Sequence, residues 1–142
     1  MFEIKDYLNI GQNYMITKVV EREDTAGEDC PEMSNFLCSA AIVRLAIHAS
    51  VETIDKYLPD EFVSIGYNLS FTHETATLLG MTVTVKTTII ELNGNEVDLR
   101  VDAWDEQGDI GHGILKRRVV HKETLEEKAE QRARFLSNQR ME

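Results

Sequence analysis

Hydrophobic positions along this chain repeat with two different periods, and the change from one to the other outlines the fold. Residues 14–21, YMITKVVE, are β-branched and apolar and read as a strand. Residues 39–58 carry a helical stripe of Ile42, Leu45, Ala46, Ala49 and Thr53, and a second one of Val43, Ile47, Val51, Ile54 and Leu58. Apolar residues on more than one face predict a helix wrapped on several sides. Ser39 stands near its start, where a hydroxyl can cap free N–H groups, and Pro59 ends it. After that the period drops to two. Strands are predicted over residues 62–72, 81–92, 97–104 and 109–121, with turns at NGN (residues 93–95) and at residues 105–108. Residues 122–142 read as a charged helix. Between the first strand and the long helix lies REDTAGEDCPEMSN (residues 22–35), an acidic segment with Gly27 and Pro31. It reads as a loop or lid, and it is long for a connector.

This order predicts an α+β fold in which an antiparallel sheet curls around one long central helix, the hotdog arrangement, followed by a C-terminal helix. One hotdog domain is expected over residues 1–121, with a charged helical tail over 122–142. A single sheet leaves edges open, so a homodimer or a dimer of dimers is expected.

Composition narrows the function classes. The chain has 142 residues, enough for one sizeable core, and a net charge of −10 from 25 acids against 15 bases. The last 21 residues hold five acids and five bases, so the whole excess lies in residues 1–121. An acidic body argues against nucleic acid, whose phosphates need a basic surface. The N-terminus lacks the basic and apolar regions of a signal peptide, and no apolar run is long enough to span a bilayer. Cys30 and Cys38 are too few for a disulfide framework and read as reduced thiols; no zinc-type ligand spacing accompanies them. A cytoplasmic protein without a metal site is expected.

The chemistry centres on SFTHETATLLGMTVTV (residues 70–85), which ends a strand on His73 rather than on a plain Asn-Gly hairpin. SIGYNLSFTHETATLLGMTVTV and GHGILKRRVVHKE, together with GQNYMITKVVERED and IDKYLPDEFVSIG, resemble the fluoroacetyl-CoA thioesterase group of hotdog proteins from about Ile10 to Glu123. The resemblance is carried most strongly by Ser64, Gly66 and His73. It implies hydrolysis of an acyl-CoA thioester, with coenzyme A as part of the substrate and no other cofactor. A helix-start hydroxyl, an acid two helical turns on and a strand-end histidine form the catalytic set in such enzymes. The hydroxyl falls on Ser39, where the family example has threonine, and the histidine on His73. A backbone glycine near the thioester falls on Gly66, and an arginine of the last strand on Arg117. The acid falls on Ile47, which can act neither as nucleophile nor as base. His48 is adjacent, but one helical residue turns its side chain by about 100°.

Several residues carry competing readings. His73 suits a general base because imidazole titrates near neutrality. Ser39 suits a nucleophile or an ordinary cap, and its helix start offers N–H groups to an oxyanion. Glu28, Asp29 and Glu32 are candidates for the missing acid or a solvated loop. His48 and His121 read as structural or surface residues. His112 lies between Gly111 and Gly113, a pattern that fits a strand bulge or the close approach of a ligand. Alternation puts Lys116 and Arg118 on one face and Arg117 on the other, for phosphates or for ordinary ion pairs. The leading expectation is a homodimeric thioesterase for a small acyl-CoA, with His73 activating water or Ser39, the Gly66 N–H or the helix start holding the oxyanion, and Arg117 or its neighbours holding the ligand. The alternative is a non-catalytic acyl-CoA or small-ligand binder, favoured by Ile47. A hotdog dehydratase is a weaker third reading, since it also wants an acid on the helix.

Overall fold

The computed structural model describes the backbone of residues 1–141 and the side chains of residues 1–136. Its strands are β1 (Asn13–Val19), β2 (Phe62–His73), β3 (Thr82–Asn93), β4 (Glu96–Asp105) and β5 (Gly108–His121). Its helices are α1 (Ser39–Ile54) and α2 (Lys122–Met141). The strands form one sheet in the order β1-β3-β4-β5-β2, with every neighbouring pair antiparallel. This is the predicted architecture, with strand boundaries shifted by one or two residues. Glu142, the last residue of the expected tail, lies outside the described residues.

Alternation decides which side of each strand is buried. Val83, Val85 and Ile89 of β3, and Val97, Leu99 and Val101 of β4, are almost fully covered. They meet Ile42, Ala46 and Ile54 of α1 in one core. A buried Val, Leu or Ile contributes roughly 1.5–3 kcal/mol, against about 1 kcal/mol for a neutral hydrogen bond. Apolar packing therefore seats the helix. One polar bond then fixes its position. Thr53 donates its only hydroxyl proton to the Ala49 carbonyl at 2.8 Å, so the 2.9 Å contact between Thr53 and Thr87 needs Thr87 as donor.

Two expectations for α1 change. The helix is not wrapped on several sides: Val43 and Val51 are half-buried, Ile47 is 43% exposed and His48 is exposed. A five-stranded sheet covers only one side of it, so Val43, Ile47 and Val51 of the second stripe form an open apolar strip, while Ile54 and Leu58 are buried. The α-helix also stops at Ile54 and tightens into a 3-10 turn over Asp55–Tyr57. Pro59 requires an extended residue before it, and Leu58 has ψ 155°. Gln12 Nε2 takes the Thr53 carbonyl at 2.7 Å, which further ties down this end.

The acidic segment is not featureless. It folds into 3-10 turns at Arg22–Asp24, Ala26–Glu28 and Pro31–Met33 and is tied by short bridges from Thr25 to Leu37 and from Phe36 to Leu78. The described side chains of α2 are all exposed. The NGN turn is a two-residue hairpin loop, closed by the Asn93–Glu96 pair, with Gly94 at φ +62°. No described helix is long and apolar enough to cross a membrane.

Candidate active site

The helix α1 and the edge strand β2 run side by side in opposite directions, and the predicted site residues lie along their seam. At one end, Ser39 Oγ and His73 Nδ1 are 2.8 Å apart although 34 residues separate them in sequence. The expected N-cap role of Ser39 is not what the structure shows. Cys38 is the N-cap residue, with extended φ and ψ and no side-chain capping bond. Ser39 is thus the first helical residue, and its hydroxyl is free to meet the imidazole.

His73 is the last residue of β2 and pairs with Gly111 on β5. A Cβ at Gly111 would lie 2.6 Å from both the Phe71 ring and the Thr72 carbonyl, and one at Gly113 would lie 2.1 Å from the Ser70 carbonyl. The two glycines around His112 therefore admit the backbone of β2 rather than a ligand. The strand irregularity falls at Ile110, between the Ala103–Gly111 and Trp104–Asp109 pairs. The Ile110 carbonyl accepts the N–H groups of Glu74 and Thr75, which bends the chain away directly after His73. His73 Nε2 is buried and has no hydrogen-bond partner. Neutral imidazole carries one N–H, so Nδ1 accepts the serine proton when the hydrogen sits on Nε2. That tautomer is the one a general base for Ser39 requires.

The other end of the seam is a buried polar network. Arg117 faces inward and is only 5% exposed. Its Nε donates to Ser64 Oγ at 2.8 Å and its Nη2 to the Ser64 carbonyl at 2.7 Å. The Ser64 hydroxyl donates to Asp55 Oδ1, and the Ser64 N–H donates to Asp55 Oδ2 at 3.1 Å. Burial pushes the Arg117 guanidinium below its usual value, and the Asp55 charge opposes that shift. The ladder shifts register between Gly66 and Asn68, and the ring of Tyr67 lies 3.9 Å from the Arg118 guanidinium. Gly66 pairs with Arg117, and a Cβ there would lie 3.4 Å from Arg117 Nη1. Ile47, Ile65, Gly66, Leu69, Leu115 and Arg117 line an open groove of about 480 Å³.

The structure thus joins Ser39 with His73, and Gly66 with Arg117, but does not join the two pairs within one chain. Eight helical residues from Ser39 to Ile47 span about 12 Å. Seven strand residues from Gly66 to His73 span about 23 Å. The candidate acids Glu28, Asp29 and Glu32 are exposed, and none bonds to Ser39 or His73. Asp55 and the role of Ser64 were missed in the sequence. The available signal was the buried-face position of Arg117, because a guanidinium out of water needs a carboxylate within reach.

The remaining candidates lie apart from the seam. His48 is exposed, 3.9 Å from Glu52, and His112 Nδ1 lies 2.9 Å from Glu74. His121 stacks edge-on against Phe62. Lys116 and Arg118 pair with Asp98 and Glu96 at 4.0 and 3.3 Å, on the face opposite Arg117 as alternation predicts. Cys30 and Cys38 are free thiols. Among the described residues no group of three or more His, Cys, Asp or Glu is placed to hold a metal ion.

Comparison with known proteins addresses the family and the fold. The family described as fluoroacetyl-CoA-specific thioesterase matches residues 20–123. The chain is 30% identical over 135 residues to the fluoroacetyl-CoA thioesterase of Streptantibioticus cattleyicolor, covering 91% of this chain and 97% of that protein. A hot-dog-like protein from Thermanaerovibrio acidaminovorans superposes with a TM-score of 0.88 at 27% identity, covering 92% of this chain and 97% of its own. A variant of fluoroacetyl-CoA thioesterase solved in complex with acetyl-CoA gives a TM-score of 0.80 at 29% identity, covering 88% and 98%. The sheet and its central helix are the hotdog fold.

Proposed function

Because this chain belongs to the fluoroacetyl-CoA-specific thioesterase family, we propose that it hydrolyses the thioester of a small acyl-CoA, with His73 as base and Ser39 at the helix start. The observation that carries this reading is the 2.8 Å contact between Ser39 Oγ and His73 Nδ1. His73 takes the Ser39 proton as Oγ attacks the thioester carbon. Collapse of the tetrahedral intermediate breaks the C–S bond, and the departing thiolate takes the proton back from the imidazolium. Water, deprotonated by the same imidazole, then attacks the acyl carbon, and the C–Oγ bond breaks as Ser39 Oγ takes the proton back from the imidazolium. With water attacking directly, His73 does the same work in one step. The first turn of α1, at Ser39 and Ala40, has N–H groups without intrahelical partners, and these stabilise the oxyanion. Gly66 is too distant within the chain to serve the same carbon, so Gly66 and Arg117 hold another part of the ligand. A homodimer covers the apolar strip of Val43, Ile47 and Val51.

A second reading is a non-catalytic acyl-CoA binder. It is favoured by Ile47 at the acid position and by the absence of any carboxylate on His73 Nε2 among the described residues. Free-thiol release from short, branched, aromatic and halogenated acyl-CoAs separates the two. The thioesterase reading expects turnover of at least one of them, reduced about 1,000-fold in His73→Ala. Ser39→Ala distinguishes the two routes, since direct attack by water survives it. Binding of acyl-CoA without any turnover by the unmodified protein selects the binder.

A further inference from the structure

The groove between Ile47 and Gly66 contains a buried arginine, yet its geometry is not that of an anion site. Two of the five guanidinium N–H groups are bonded to Ser64: Nε donates to the hydroxyl and Nη2 to the carbonyl. The same hydroxyl, and the Ser64 N–H, are held by the Asp55 carboxylate. Nη1 has no such bond and lies against the face of Gly66 that lacks a Cβ. The rest of the lining is mostly apolar, Ile47, Ile65, Leu69 and Leu115, with Tyr67 and Asn68 from the strand irregularity beside Gly66. The positive charge of Arg117 is thus balanced from behind, through Ser64, while one N–H edge is presented to a mostly apolar groove. Lys116 and Arg118 do not line the groove and pair with Asp98 and Glu96, although the Arg118 guanidinium lies 3.9 Å from the ring of Tyr67 at its rim.

We infer that Asp55 and Ser64 are positioning residues that aim and neutralise Arg117, so that the groove takes an uncharged portion of an acyl group and rejects one ending in a carboxylate. Arg117 supplies a fixed hydrogen bond to a neutral oxygen or lies along the chain, and its charge is not available to a second anion. The inference deepens the acyl-CoA reading and rests on it.

The test is calorimetric binding of two length-matched pairs, valeryl- with glutaryl-CoA and octanoyl- with suberyl-CoA, in a His73→Ala background that suppresses turnover. That background is expected to bind the neutral member at least tenfold more tightly in one pair. Asp55→Asn exposes the charge of Arg117 and shifts the preference at least tenfold toward the carboxylate-ended partner. Arg117→Gln leaves Asp55 unbalanced and shifts it the opposite way. Opposite signs from two neighbouring substitutions are not produced by a merely structural defect, and either variant alone decides if the other fails to fold. A preference for the carboxylate-ended ligands in the His73→Ala protein, or one that a folded variant leaves unchanged, overturns the inference. If none of the four ligands binds, the acyl-CoA reading falls and this inference with it.

Discussion

The two ends of the α1–β2 seam are built on opposite rules. At the Asp55 end both oxygens of a carboxylate, a hydroxyl and two nitrogens of a guanidinium are bonded in one chain of contacts. At the Ser39 end one hydrogen bond joins two side chains, and the other imidazole nitrogen is left buried without a partner. An unsatisfied buried polar atom costs about 1–3 kcal/mol. Thr88 Oγ1 in the core is likewise buried without a partner, so the free Nε2 marks a less tied end of the seam and leaves the imidazole oriented by Ser39 alone. The Asp55 end is held by several mutual bonds and the Ser39 end by one.

Substitutions at the two ends should therefore separate activity from stability. The largest effect on activity is that of His73→Ala, described above, and it should leave the melting temperature within about 2 °C because only one half-exposed hydrogen bond is lost. Asp55→Ala should do the reverse in kind. Leaving Arg117 buried without its carboxylate is expected to cost about 3 kcal/mol in urea unfolding. An Asp55→Ala protein as stable as the parent would mean that the network does not hold the strand and helix together. Gly66→Ala sharpens the contrast further. Its Cβ would lie 3.4 Å from Arg117 Nη1, an ordinary contact that the Ser64-bonded guanidinium need not move to admit, so stability should change by less than about 1 kcal/mol. The methyl projects beside Nη1 into the groove, and KM is expected to rise about tenfold if ligand passes there. The smallest effect is expected at His48, whose exposed pairing with Glu52 at 3.9 Å should be worth under about 0.5 kcal/mol when removed by His48→Ala.

The fold was legible because its elements follow local rules. MTVTVKTTIIEL and VDLRVDAW alternate, NGN turns the chain, and Pro59 bounds the helix. The Ser39–His73 pair was approached through resemblance, and its contact depends on Cys38 taking the cap position, which no pattern of hydroxyls announces. The Asp55–Ser64–Arg117 network was not legible. It joins residues 9 and 53 positions apart, and such contacts are set by strand register. It also involves α1 ending at Ile54 rather than Leu58, where the chain tightens ahead of Pro59 and Gln12 donates to the Thr53 carbonyl, a tie from 41 residues away. The open strip on α1 escaped for a related reason: two apolar stripes on a helix do not say how many partners one chain supplies.

The hydroxyl pair of Thr53 and Thr87 in the core has a consequence for how this molecule can move. Each side chain is almost fully buried and has its proton committed in one direction, from Thr87 to Thr53 to the Ala49 carbonyl. If the helix slid along β3, both hydroxyls would be stranded among valines and isoleucines, at about 1–3 kcal/mol each. The pair works as an indexing pin: it admits one seating of the helix on the sheet. Ser39 and Asp55 lie on either side of that pin, so a shift imposed at one end of the seam is resisted before it can misalign the other.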